Sequence, residues 1–214
     1  MNNMRNILFI DGENFKKKIK DVLISENIVM EKDEVDWTKF NFKGLFDQIL
    51  QDINVNRRIF YFARINKHKA TPEKSESLIQ RARSLKTYLE NESQGFEVIM
   101  AGNVRGYPTE KIVQDKKTLS FGKREVIVFK EKGVDVRIAV DMVSLACDGS
   151  MKTAILASSD SDLQPAIKEV VKRNKKCIYI GFENSKNKGI AYTTDRTILI
   201  RNSEVLNNFQ KAPI

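Results

Sequence analysis

Apolar residues fall in short, nearly unbroken runs: NILFI at Asn6–Ile10, RIFYFA at Arg58–Ala63, FEVIMA at Phe96–Ala101, TAILAS at Thr153–Ser158, KCIYIG at Lys176–Gly181 and TILI at Thr197–Ile200. Runs of strand length without polar alternation predict strands covered on both faces, the pattern of a parallel α/β sheet. Helical spacing fills the intervals. Phe15, Ile19 and Val22 form one stripe after the first run, and the neighbouring Lys16, Lys17, Lys18 and Lys20 read as a solvated face. Thr71, Pro72 and Glu73 supply an N-cap, a first-turn proline and an early acid for a helix to about Glu92, with Leu78, Leu85 and Leu89 inward. From about Ser25 to Trp37 the chain is acidic and irregular, and it leads into a helix through Gln48. Between Gly102 and Lys132 the alternation breaks into β-like runs such as Val126–Phe129 among Gly106, Pro108 and Gly122, which predicts a β-hairpin or flap. The tail after Ser203 reads as a short helix. No internal repeat appears, so residues 1–214 read as one domain with an insertion at about 102–132.

Charge and composition narrow the chemistry. The chain has 37 Lys+Arg against 28 Asp+Glu, a formal charge of +9, so polyanions are the expected partners. Eight basic residues lie in the insertion, Arg105, Lys111, Lys116, Lys117, Lys123, Arg124, Lys130 and Lys132, against four acidic ones. No stretch approaches 18 uninterrupted apolar residues, and Asp11 interrupts the first run too early for a signal-peptide core; the sequence reads as cytoplasmic, without a membrane partner. His68 is the one histidine, which excludes a two-histidine acid/base pair within the chain and an H-E-x-x-H zinc site. Cys147 and Cys177 form no C-x-x-C and read as buried small hydrophobes. With neither G-x-x-x-x-G-K-S/T nor G-x-G-x-x-G, no nucleotide cofactor is expected.

What remains is carboxylate. Ligands of open parallel sheets bind beyond the carboxyl ends of strands. The first strand ends at Asp11 in I-D-G-E-N; the strand Thr153–Ser158 runs into S-S-D-S-D, giving Asp160 and Asp162; Asp135 opens a helix striped by Ile138, Met142 and Leu145. Taken singly, Asp135, Asp160 and Asp162 each suit a helix cap. Together, and with Asp11 in an apolar setting, they suit a hard divalent cation, Mg²⁺ or Mn²⁺. Asp141 lies about 120° round the helix from Asp135, which leaves either a supporting place or pairing with a lysine. The amide of Asn14 suits a phosphate oxygen, a water or the loop itself, and Ser158 is suited to donating to a carboxylate.

These segments resemble the NYN domains, the LabA-like branch of the PIN-like nuclease superfamily, through N-I-L-F-I-D-G-E-N (Asn6–Asn14), E-K-G-V-D-V-R-I-A-V-D-M (Glu131–Met142) and I-L-A-S-S-D-S-D-L-Q-P-A-I (Ile155–Ile167). The resemblance implies a PIN-like three-layer sandwich with a mainly parallel central sheet, an inserted basic hairpin, and metal-dependent hydrolysis of RNA phosphodiesters. It carries metal-binding and catalytic roles to Asp11, Asp135, Asp160 and Asp162, and motif positions to Asn14 and Asp141. Ser159 stands where the family more commonly has glycine. The basic insertion, through Arg105, Lys116, Lys117, Lys123, Arg124 and Lys132, is expected to hold the RNA backbone. Two alternatives compete: a Toprim-like carboxylate-metal enzyme, which wants a glutamate where Asp11 stands, and a non-catalytic RNA-binding module. A phosphate-receiver domain fails for want of an aspartate at Met100-Ala101-Gly102. Homo-oligomerisation is left open.

Overall fold

The computed structural model describes residues 4–69, 71–114 and 121–209, with the side chains of 111–125 outside the description. Seven strands form one sheet: β1 (Arg5–Asp11), β2 (Arg57–Ile65), β3 (Glu97–Gln114), β4 (Phe121–Lys132), β5 (Met151–Ala157), β6 (Lys176–Phe182) and β7 (Arg196–Ile200). Their order is β4-β3-β2-β1-β5-β6-β7, parallel throughout except where β4 returns against β3. Strand order therefore reverses between β1 and β5, whose carboxyl ends carry Asp11 and the Ser158–Asp162 loop.

Alternate strand residues feed two cores. Leu8, Ile10, Phe60, Phe62, Ile155 and Ile180 face α1 (Gly12–Ser25), α2 (Phe42–Ile49) and α3 (Pro72–Glu90). Ile7, Phe9, Tyr61, Leu156 and Tyr179 face α4 (Val134–Cys147), α5 (Gln164–Lys172) and α6 (Lys188–Thr193). The result is the expected α/β/α sandwich, closed by α7 (Asn202–Asn207) against the first core through Val205. No helix among the described residues is long and apolar enough to cross a membrane.

Several details differ from expectation. The run Phe96–Ala101 is only the start of a strand of 18 residues. After a register shift between Phe62 and Arg64 against Met100 and Asn103, β3 continues past Gly102 and pairs with β4 from Asn103↔Lys132 to Gln114↔Phe121. The hairpin is thus a continuation of the sheet. Gly102 takes φ +61°, and a Cβ there would meet the Lys132 carbonyl oxygen at 2.0 Å, so the junction requires glycine. Leu78 is half-buried, and α3 ends at Glu90 because Asn91 is extended. Cys147 is exposed, accepting from Arg173 Nε at 2.9 Å, because the last residue of α4 has rotated off the stripe of Ile138, Met142 and Ala146. Lys16 and Lys20 are not a solvated face. Lys16 pairs with Glu13 at 2.6 Å with its side chain 14% exposed, and Lys20 donates to the carbonyls of Glu31 and Asp33 at 2.8 Å each.

Candidate metal centre

The site is assembled from three polar turns at one end of the sheet. Asp11 ends β1 and caps α1, accepting the Asn14 N–H at 3.2 Å through Oδ1 and the Ser158 hydroxyl at 3.2 Å through Oδ2. The same Ser158 oxygen accepts the Asp160 N–H at 3.1 Å. Asn14 Oδ1 accepts both the backbone N–H and the hydroxyl of Ser159 at 3.0 Å, so its amide holds the loop, one of the three partners its chemistry suggested. From the other side Asn187 Nδ2 donates to the Ser159 carbonyl at 2.8 Å. Serine in place of glycine at 159 therefore gains a hydroxyl donor to Asn14.

Capping and clustering coexist here. Asp160 caps the short 3-10 turn Ser161–Leu163, its Oδ1 accepting the Asp162 N–H at 3.0 Å. Asp135 does not cap α4: Gly133, at φ +86°, holds that position and leaves the Asp135 carboxylate in the first turn, where the helix dipole favours negative charge. Asp135, Asp160 and Asp162 each offer a carboxylate oxygen, and these lie within 4.8 Å of one another; the first two are half-buried and the third exposed. Three hard oxygen donors with no histidine or thiolate fit a hard divalent cation.

Asp11 is not in that group, though Asp160 is near enough for its charge to act on it. Burial, partly offset by the Asn14 and Ser158 hydrogen bonds, pushes the Asp11 carboxyl up to about 6. Sequence reasoning missed two acids beside it. Glu131, at the end of β4, accepts the Ala63 N–H at 3.2 Å, at the residue where the β2–β3 register shifts. Burial first, then the charges of Glu13 and Asp11, pushes the Glu131 carboxyl up to about 7. Glu13, in the first turn of α1, is exposed and held by Lys16. Its place in I-D-G-E-N, two residues after Asp11, was the available signal; Glu131 had none beyond adjoining the G-V-D segment.

Asp141 is drawn elsewhere. Its Oδ2 accepts the Tyr61 hydroxyl at 3.0 Å and its Oδ1 the Arg137 Nε at 2.8 Å, so its cation is an arginine one turn back on α4 and not a lysine. Of the basic candidates, Arg105 and Lys132 are exposed at the base of the hairpin. Arg105 stands directly opposite exposed Lys130, and Lys132 opposite Asn103. Arg124 pairs in register with Lys111 and Lys123 with Ile112, while Lys116 and Lys117 lie outside the described residues.

The sequence matches the NYN domain over residues 5–201, nearly the whole chain. The chain belongs to the NYN domain family, and so to the PIN-like nuclease superfamily; the match does not distinguish the LabA-like branch. This membership sets aside the Toprim-like alternative. No curated protein matches the sequence. Among solved structures, a protein of unknown function from Vibrio parahaemolyticus is similar, with a TM-score of 0.47, 17% identity, and coverage of 94% of this chain and 96% of that one.

Proposed function

We propose that this NYN domain is a metal-dependent ribonuclease. The observation that carries the reading is the convergence of Asp135, Asp160 and Asp162, from two separate segments, within 4.8 Å. Carboxylates this close repel one another, and a hard divalent cation is the usual compensation. Asp135, Asp160 and Asp162, with Asp11 behind them, would hold Mg²⁺ or Mn²⁺. When bound, such an ion acidifies water and offsets charge on a phosphate in in-line displacement.

The protein's own groups divide the remaining work. Asp162, the exposed member, orients the attacking water. Asn14, Ser158 and Asn187 fix the loop so that Asp160 keeps its direction. Asp141 acts from a distance, tying Tyr61 of β2 to α4 and holding Arg137. The basic hairpin supplies the backbone grip. Arg105 and Lys130, directly opposed across two strands, destabilise the bare hairpin, and a phosphate chain laid over them relieves that repulsion. RNA as the substrate follows from the family resemblance together with this charge. The acids speak against a purely binding module, since a phosphate binder gains nothing from them.

The test is incubation of labelled single-stranded, duplex and structured RNAs with wild type and Asp160→Asn, with and without Mn²⁺. Mn²⁺-dependent cleavage lost in the variant supports the reading; equal cleavage by both proteins overturns it.

A further inference from the structure

Beside the acidic centre lies a cavity of about 330 Å³, between α3 and the strands β2 to β4. Its walls are apolar and partly aromatic, formed by Phe62, Met100, Leu78, Leu85 and Phe129. Its volume falls within the roughly 300–1,000 Å³ range of small-ligand sites. Glu131 and Glu13 line it too, and these are the groups whose charges act on, or are acted on by, Asp11. Cavity and acids therefore adjoin. We infer that this cavity is a base-binding pocket, taking the nucleobase next to the phosphate held at the acidic centre. The inference rests on the nuclease reading above and adds a specificity site to it.

Three features select a base over other occupants. Both lysines of its lining are already paired, Lys16 with Glu13 at 2.6 Å and Lys86 with Glu90 at 3.1 Å, so the cavity suits the uncharged part of a nucleotide rather than a phosphate. Its lining is aromatic, with Phe62 stacked on Phe60 and Phe129 edge to face with His68, and unstacked RNA bases are held on aromatic side chains. Glu131 spends one carboxylate oxygen on the Ala63 N–H, leaving the other for the polar edge of a base. The wall is also tied to the acidic turn. A Cβ on Gly12 would lie 2.2 Å from the Phe62 ring, so I-D-G-E-N brings that ring against the residue following Asp11. Lys16, between Glu13 at 2.6 Å and the Phe62 ring centroid at 5.3 Å, further fixes the corner.

The probes are the 5′- and 3′-monophosphates of the four ribonucleosides, and ribose 5-phosphate, titrated calorimetrically into the whole chain in Mn²⁺. The best nucleotide should bind wild type roughly five- to 150-fold more tightly than ribose phosphate, the range of one base stacked on an aromatic side chain. Ala82→Phe, which fills the cavity from α3, should erase that ratio, and Phe129→Leu should reduce it, while both retain wild-type melting and Mn²⁺-induced stabilisation. Equal affinity for nucleotide and ribose phosphate, a ratio unchanged in both variants, or no nucleotide binding overturns the pocket. If Asp160-dependent RNA cleavage persists alongside any of those results, the nuclease reading stands and the pocket alone falls. Absence of that cleavage in wild type defeats the nuclease reading instead.

Discussion

Two sets of carboxylates share one edge of the sheet in contrasting surroundings. Asp135, Asp160 and Asp162 stand open or half-open, with oxygens within 4.8 Å, and Asp160 accepts a backbone N–H from the same turn. Asp11 and Glu131 are covered, each bound to a backbone N–H, and burial raises both carboxyls, to about 6 and about 7. The open set can take a hydrated cation while losing little of its own solvation. The covered pair holds its protons to higher pH than a free carboxyl does, and positive charge nearby favours their release. One edge thus offers a place for an ion and, behind it, acids whose ionisation depends on that ion.

The largest expected effect falls on the open set: Asp160→Asn or Asp135→Asn should lower Mn²⁺-dependent RNA cleavage by roughly a hundredfold or more with native circular dichroism, measured on labelled RNA. Full activity in either variant would break the comparison at its stronger side. Next comes stability. Mn²⁺ at about 100 times its dissociation constant should add about 2.7 kcal/mol to wild type, read as a rise in melting temperature, and little to Asp11→Asn/Asp160→Asn. An equal rise in both proteins would place the ion elsewhere.

The covered pair is sharpened by pH. Folded Asp11 and Glu131 bind protons that the unfolded chain has lost, between 3.8 and about 6 for the first and between 4.5 and about 7 for the second. The metal-free fold should therefore lose stability as pH climbs through about 4 to 7, and Glu131→Gln, which keeps an acceptor for Ala63, should flatten the upper part of that decline. Melting curves of the two proteins at several pH values check this; identical slopes would deny Glu131 its covered character. Smaller again is the hairpin. Arg105→Gln, Lys130→Gln and Lys132→Gln together should weaken RNA binding across sequences and flatten the log K against log[salt] slope by about 0.7 for each phosphate no longer held, followed by fluorescence anisotropy. Least affected should be Asp141→Asn, within about 1 kcal/mol of wild-type stability and a few-fold of its cleavage rate, because its Arg137 partner is half-exposed and asparagine can still accept from Tyr61. A loss as deep as that of Asp135→Asn would put Asp141 inside the centre.

The strands were legible because burial on both faces removes polar residues from the run, and strand-end acids stood out against them. The continuation of β3 was not, since Val104 to Gln114 mixes charge with apolar residues and leans on β4 for its pairing. Glu131 was hidden for a related reason: its burial comes from the register shift at Ala63 and Gly102, a long-range event in a segment that reads as a charge run. Lys16 was misread because its ammonium is held between Glu13 and the rings of Trp37 and Phe62, an arrangement that helical periodicity cannot reveal. Asp141's departure from the cluster agrees with its helical angle; its bond to Tyr61 joins β2 to α4 and could not be foreseen locally.

β4 ends the strand order, so twelve residues of backbone run along an outer margin of the sheet. Such a margin is a template on which a second chain can add a strand, and lysines along it discourage that growth. Lys130 and Lys132 thus serve colloidal behaviour as well as affinity: neutralising them would expose a β-prone ribbon containing Val126–Phe129 to edge-to-edge association, and the hairpin variants should precipitate at lower protein concentration than wild type.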